Sequence, residues 1–210
     1  MSYSANYIDS KGRTREVSIT EEDYREALKN DYQEIMRKYN PKYVSIQRIQ
    51  AKAGEALHLK VTVNAPTHYL ATNEDSLPKA CESMSVDIIC YPGYPLTAVK
   101  AAYAPNRFLA SPNVFRSGAA CIDKWIPLTS SLITVMEKLL HDIIHDPAVT
   151  RYDSMANTSM EKWHKDGVAS GKFPTVSPKL LYAPEEIPLP PRRGMNKARM
   201  AAPPLPGRRH

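Results

Sequence analysis

The chain has no long hydrophobic run, few cysteines and, towards its end, no acidic residues. No apolar stretch approaches the roughly 18 residues that suggest a membrane span. The opening segment MSYSANYIDSKGRTREVS lacks the apolar block of a secretory signal. Cysteine occurs only at Cys81, Cys90 and Cys121. So sparse and odd a set is a poor disulfide framework, and a reducing cytoplasm is the expected setting. The cysteine spacings of 9 and 31 do not suit a zinc framework. From Ile187 to His210 there is no acid, but there are six bases: Arg192, Arg193, Lys197, Arg199, Arg208 and Arg209. The formal charge of +6 belongs to that stretch, because without it 22 basic residues face 22 acidic ones. A basic groove for nucleic acid is therefore not expected in the body of the chain. No internal repeat is visible.

What is present is an ordered succession of patterns in a chain that is 42% hydrophobic, enough for a packed core. Residues 1–19 are polar and carry no clear period. Thr20-Glu-Glu-Asp23 has the form of a helix start, a hydroxyl cap followed by acids in the first turn. Tyr24, Leu28, Tyr32, Ile35, Met36 and Tyr39 then recur at three and four, which predicts one buried helical stripe. Asn40-Pro41 stops it. The period next becomes two. Residues 43–50 and 56–64 read as a hairpin turning at Gly54, with Leu57, Leu59, Val61 and Val63 alternating. A third strand is expected over 84–90 and a fourth over 97–103, separated by Tyr91-Pro-Gly-Tyr-Pro95. Residues 104–124 read as irregular.

A second helix is expected over 129–145, with Leu132, Val135, Met136, Leu139, Leu140, Ile143 and Ile144 on its stripe. Asp146-Pro147 ends it. A weaker helical pattern covers 154–165. From Gly171 onward nine of the remaining forty residues are proline, which argues against any packed helix or sheet there. The fold class expected is α+β, with runs of strands between helices. The boundaries drawn are a polar extension over 1–19, a catalytic domain over 20–168 and a disordered proline-rich basic tail over 169–210.

Two smaller motifs carry plain alternatives. His141-Asp-Ile-Ile-His145 has the i, i+4 spacing of a zinc helix, but it lacks the general-base Glu. Both imidazoles also fall opposite the apolar stripe on the helical wheel, so a solvated outer face is expected and no metal site. Pro188-Leu-Pro-Pro191-Arg-Arg193 fits a polyproline ligand pattern that arises often in proline-rich segments. Cys90 reads as core and Cys81 as an incidental loop residue.

The stretch Ser111-Pro-Asn113, then Gly118-Ala-Ala-Cys121-Ile-Asp123-Lys-Trp125-Ile-Pro127 resembles the active region of the ubiquitin-conjugating enzymes. That family carries His-Pro-Asn, a cysteine eight positions after the Asn, an Asp two further on, and Trp-x-Pro before a long helix. Tyr91-Pro92-x-x-Pro95 resembles its Tyr-Pro-x-x-Pro strand end. The resemblance covers roughly residues 20–165. Ser111 stands where the family has His, the 95–111 stretch is longer, and the Cys-to-Trp spacing is shorter, departures that suggest a divergent, bacterial branch.

The resemblance implies a UBC-like fold: an N-terminal helix, a four-stranded antiparallel meander, an extended active-site loop and C-terminal helices. It implies a carrier that takes a ubiquitin-like protein from an activating enzyme with an adenylation domain. The modifier would rest on Cys121 as a thioester and pass to a lysine of a target protein, with or without a ligase. No cofactor, nucleic acid or membrane is implied. A thiol suits the task because a thioester stays activated towards amines and the thiolate is the nucleophile. Asn113 is implied to donate to the oxyanion, or to hold the loop that does. A donor of that kind is typically worth about 10²–10³ in rate. Asp123 would lie near the amine, and Tyr152 and Asp153 would strip water from the incoming lysine. Arg25 and Lys29 on the first helix would meet the activating enzyme. Gly93-Tyr94 and Ile126-Pro127 would face a ligase. Bacterial relatives of the family are often encoded in defence-linked conjugation operons, which extends the expectation to antiviral defence. The alternative is a catalytically inactive UBC-fold module that only holds a ubiquitin-like protein or another partner.

Overall fold

In a computed structural model of the chain, residues 1–8, 12–71, 77–122 and 124–184 are described. Their architecture is mixed α+β, with antiparallel sheets and, among the described residues, three α-helices. The elements are β1 (Ser2–Ile8), β2 (Thr14–Thr20), α1 (Glu21–Lys38), β3 (Val44–Ile49), β4 (Leu57–Val63), β5 (Thr67–Leu70), β6 (Lys79–Cys81), β7 (Met84–Cys90), β8 (Lys100–Ala102), β9 (Phe108–Leu109), α2 (Leu132–Ile143) and α3 (Glu161–Ala169).

Helix α1 starts where the hydroxyl and the acids predict. Thr20 Oγ1 accepts from the Asp23 N–H at 3.2 Å and the Asp23 carboxylate accepts from the Thr20 N–H at 2.7 Å, a reciprocal capping box. Tyr24, Leu28, Ile35 and Tyr39 are buried as expected. Met36 is not: it is exposed, because Ile35 already occupies the inward position of that turn. The strand alternation also holds. Leu57, Leu59, Val61 and Val63 are buried, and β4 pairs with β7 so that Leu59 lies opposite Ile88 and Val61 opposite Val86. The central sheet runs β3-β4-β7-β8, every neighbour antiparallel. Helix α2, capped by Ser131, lays its apolar side into the same core as β4 and β7.

Three parts depart from the sequence reading. Residues 1–20 are not featureless: β1 and β2 form a hairpin, and Tyr3 packs edge-on against Tyr24 with ring centroids 5.3 Å apart. Tyr3, Ala5 and Tyr7 alternate with more exposed residues, a period-two signal carried by only three residues of a mostly polar segment. A second sheet, β6-β5-β9, takes in Cys81 and part of the stretch read as irregular. Lastly, proline does not prevent packing after Gly171. Phe173 and Leu181 are buried, residues 178–181 form a 3₁₀ turn, and Tyr39 and Tyr182 form a β-bridge. The prolines sit in an extended strap that needs no regular ladder. Of the expected tail, residues 169–184 therefore belong to the packed body, and residues 185–210 lie outside the described residues.

The strap also overturns the reading of the two histidines. His141 is mostly covered, its Nδ1 2.7 Å from Asp146 Oδ2 and its Nε2 2.8 Å from Tyr182 Oη. His145 is fully buried. It lies past the last helical residue with φ of 59°, so a helical wheel does not describe its direction. Phe173 from the strap and Trp163 and His164 from α3 close over it, with ring centroids 4.4, 5.3 and 5.9 Å away.

Candidate active site

Strand β9 delivers the chain to Ser111, and from there the loop folds back as a narrow hairpin. Gly118 turns it, with φ of +85° and room for a Cβ only 3.0 Å from the Tyr103 carbonyl, a place that favours glycine. The Gly118 N–H donates to Phe115 O at 2.8 Å and the Phe115 N–H donates to Ala119 O at 2.9 Å. Val114 and Ala120 form a bridge. The eight-residue spacing thereby sets Asn113 against Cys121: the Cys121 N–H donates to the Asn113 carbonyl at 2.7 Å. Cys121 is half-buried, whereas Cys90 is fully buried, with its thiol pushed up to about 12 chiefly by burial.

Three structures grip this hairpin. Strand β8 holds its outer limb, through the Ala120 N–H to Ala101 O at 2.9 Å and the Tyr103 N–H to Gly118 O at 2.8 Å. The segment after α2 holds Pro112, whose carbonyl accepts from the Ala156 and Asn157 N–H groups at 2.9 and 3.0 Å. Helix α2 itself supplies Asp142, a carboxylate inside the core. Its Oδ1 accepts from Ser111 Oγ at 2.6 Å and from Asn113 Nδ2 at 3.1 Å. Ser111 Oγ in turn accepts from the Asn113 N–H at 3.0 Å. The hydroxyl at Ser111 thus ties the loop backbone. Burial raises the Asp142 pKa to about 6, against the opposing pull of Ser111, Lys138 and Asn113.

The Asn113 amide nitrogen is engaged twice. Its Nδ2 donates to Asp142 and also to Val149 O at 3.3 Å, and the residue is buried. Of its two anticipated roles, this geometry is that of a loop holder. Tyr152 and Asp153 lie between Val149 and Ala156, so their segment is anchored to the Ser-Pro-Asn loop on both sides. Tyr152 is half-buried and its hydroxyl lies 2.7 Å from His164 Nδ1. Asp153 is exposed, and its carboxyl is held below the usual range chiefly by the Arg151 guanidinium, 3.2 Å away. Asp123 lies outside the described residues.

Arg25 and Lys29 are exposed on α1 and line a cavity of about 320 Å³ with Tyr24, Tyr32, Arg48 and Glu55. Arg25 also pairs with Glu21 at 2.7 Å. Gly93 and Tyr94 do not present a partner surface: both are buried. The Tyr94 hydroxyl donates to Asp31 and accepts from the Leu132 N–H at 2.6 Å, so the loop joins α1 to the start of α2. Ile126 is exposed and Pro127 half-buried, and Trp125 Nε1 donates to Pro95 O at 2.9 Å. Asp142 is the site residue that sequence reasoning missed. A signal existed: it stands three after Leu139 and seven after Val135, at stripe positions where an acid has no ordinary place. No family model matches the chain, and no curated protein matches it.

Proposed function

We propose that the chain is a carrier of the ubiquitin-conjugating type. The Cys121 thiolate attacks the carbonyl carbon of an incoming thioester, and the activating enzyme's cysteine leaves as thiolate. A lysine amine then attacks the same carbon, the bond to Cys121 breaks, and an isopeptide bond forms. The amine proton passes to the departing sulfur or to water. The observation that carries this reading is the hairpin of residues 113–121, which presents a half-exposed cysteine opposite Asn113 on a loop clamped from three sides. The order of a capped helix, a four-stranded antiparallel meander, that loop and two further helices supports it as a UBC-like fold. Arg25 and Lys29 on this reading meet the activating enzyme, Ile126 and Pro127 meet a ligase, and the setting is cytoplasmic.

A binding-only module is favoured by one observation, the commitment of the Asn113 amide nitrogen to Asp142 and Val149. A single experiment separates the two. The protein is incubated with ATP and with matched pairs of activating enzyme and ubiquitin-like protein, then run on a non-reducing gel. The carrier gives a thiol-sensitive adduct that Cys121→Ala abolishes. Non-covalent capture with no adduct at any pairing identifies the binding module, and an adduct that persists in Cys121→Ala overturns the assignment of the cysteine.

A further inference from the structure

Asp142 is a charge in a place that packing does not require. It sits on the buried side of α2, in the company of Leu139 and Ile143, where a leucine would serve the core. An ionised carboxylate there carries a desolvation penalty, and perturbed carboxylates of this kind concentrate at functional sites. What the carboxylate does is specific. One oxygen, Oδ1, accepts from both Ser111 Oγ and Asn113 Nδ2, and Ser111 closes the figure by accepting from the Asn113 backbone. The Asn113 carbonyl then accepts from the Cys121 N–H. Asp142 is therefore linked to the cysteine through a single intervening residue.

Resting on the carrier reading, we propose that Asp142 is the positioning residue of the transfer step: through Ser111 and Asn113 it sets the carbonyl of a thioester on Cys121 for attack by an amine. It touches neither the amine nor the acyl group. Loading draws on the geometry of the donor thioester as well, so discharge to an amine is the step that depends on it.

The anion matters because a charged acceptor makes stronger hydrogen bonds than a neutral one. The groups facing it are Ser111 and Asn113 from the loop, Lys138 from its own helix, and Tyr103. The Tyr103 hydroxyl is buried with no hydrogen-bond partner among the described residues, and its proton is held more tightly chiefly by burial and then by the Asp142 charge. A protonated Asp142 is close in shape and charge to Asn. Wild type and Asp142→Asn should therefore converge in acid, where the carboxyl takes up its proton.

The full chain, in a Cys81→Ser background, is charged at Cys121 by thiol exchange with a ubiquitin thioester of mercaptoethanesulfonate. Its discharge to free lysine is followed in single turnover, and ratios between proteins at each pH cancel the ionisation of lysine. Asp142→Leu is expected to load and then discharge about tenfold or more slowly, the loss of two charge-assisted bonds to one oxygen. Asp142→Asn is expected to recover part of the rate, with a wild-type advantage that is full near pH 8 and shrinks as pH falls through about 6. A ratio that does not change with pH, or an Asp142→Leu protein as fast as wild type, overturns the proposal. Where Asp142→Leu does not fold, the pH course of the Asn variant decides. If the wild-type thioester reacts with lysine no faster than the same thioester in urea-unfolded chain, the carrier reading itself fails. If it reacts faster and the variants match it, only the role of Asp142 fails.

Discussion

Asn113 and Asp142 share one hydrogen bond, and substitution of Asp142 has a second readout that substitution of Asn113 lacks. Removing the Asn113 side chain leaves Val149 O without its donor and takes one of two donors from Asp142. Asp142 keeps its bond from Ser111, and the partly buried Val149 carbonyl loses a donor, a loss worth about 1–3 kcal/mol. Asn113→Ala is therefore predicted to accept a modifier on Cys121 and, with its loop loosened, to discharge it about tenfold or more slowly, measured by single-turnover chase of the preformed thioester. Asp142 is predicted to show itself in stability as well as in discharge. Its pKa is raised in the folded state to about 6, above an unfolded value near 3.9. The folded chain then binds the proton more readily than the unfolded one. Stability contributed by the proton is present below about pH 4 and is lost as pH rises through 6. Asp142→Asn removes that loss. Its melting temperature relative to wild type should rise between pH 4 and pH 7.5, by an amount reflecting about 3 kcal/mol at most. A flat difference across this range would mean that the carboxylate is not desolvated as its burial indicates.

At the scale of elements, the most consequential packing lies where the strap meets α3. Gly167 is mid-helix, and a Cβ there would lie 2.2 Å from Phe173 Cε2. Glycine normally costs a helix about 1 kcal/mol relative to alanine, so Gly167→Ala would stabilise an exposed helix. Here the Phe173 ring is held among His145, Trp163 and His164 and has little freedom to yield. Overpacking of this kind typically costs about 1–3 kcal/mol, and net destabilisation is predicted in urea or thermal unfolding. Tyr94→Phe tests a different joint. It removes the hydroxyl that donates to Asp31 on α1 and accepts from the first N–H of α2, leaving that N–H its direct bond to Asp31 at 3.1 Å, and a loss of about 1 kcal/mol is expected by the same measurements. These joints also mark how far the sequence could be read. The capping box at Thr20, the alternation of β4 and the stripe of α2 are local signals, and each appears where it is expected. Asn113 and Cys121 were singled out by the resemblance, and their juxtaposition follows because one hairpin closes the eight residues between them. Asp142, Tyr94 and His145 were not legible, because each is bonded to a partner far along the chain: Asn113 at 29 residues, Asp31 at 63 and Thr67 at 78. No periodicity reports such contacts. Gly93 and Tyr94 were misplaced for the same reason: a turn-like sequence looks exposed until the helix that covers it is known.

For the whole molecule, the decisive boundary is the one after α3. Composition places the end of the body at residue 168, yet the chain beyond it contributes more than a cover. Leu181 is fully buried, Phe173 is nearly so, and the Ala183 N–H donates to Lys38 O at 2.9 Å while the Asn40 N–H donates to Leu181 O at 2.9 Å. The strap thus bonds the end of α1 to the far side of α2, where Tyr182 meets His141. Burying one leucine and one phenylalanine is worth about 1.5–3 kcal/mol each. Against a total stability of about 5–15 kcal/mol, that is a large share. The imidazoles beneath add a second effect. His164 is held down to about 4 and His145 below its ordinary value, each chiefly by burial, so both fold neutral. Depressed values of this kind oppose folding as pH falls through about 6.5, and the strap is what keeps water from them. Two truncations should therefore behave differently. A chain ending at residue 184 retains the strap. A chain ending at residue 168 exposes Ile144, His145 and His164 and leaves Tyr39 without its bridge. The shorter form is predicted to lose at least about 4 kcal/mol relative to the longer in urea unfolding at pH 7.5. Its acid transition should also be shallower, because imidazoles already in water gain nothing further by unfolding. Equal stability of the two chains, with the same acid dependence, would return residues 169–184 to the status of a tail.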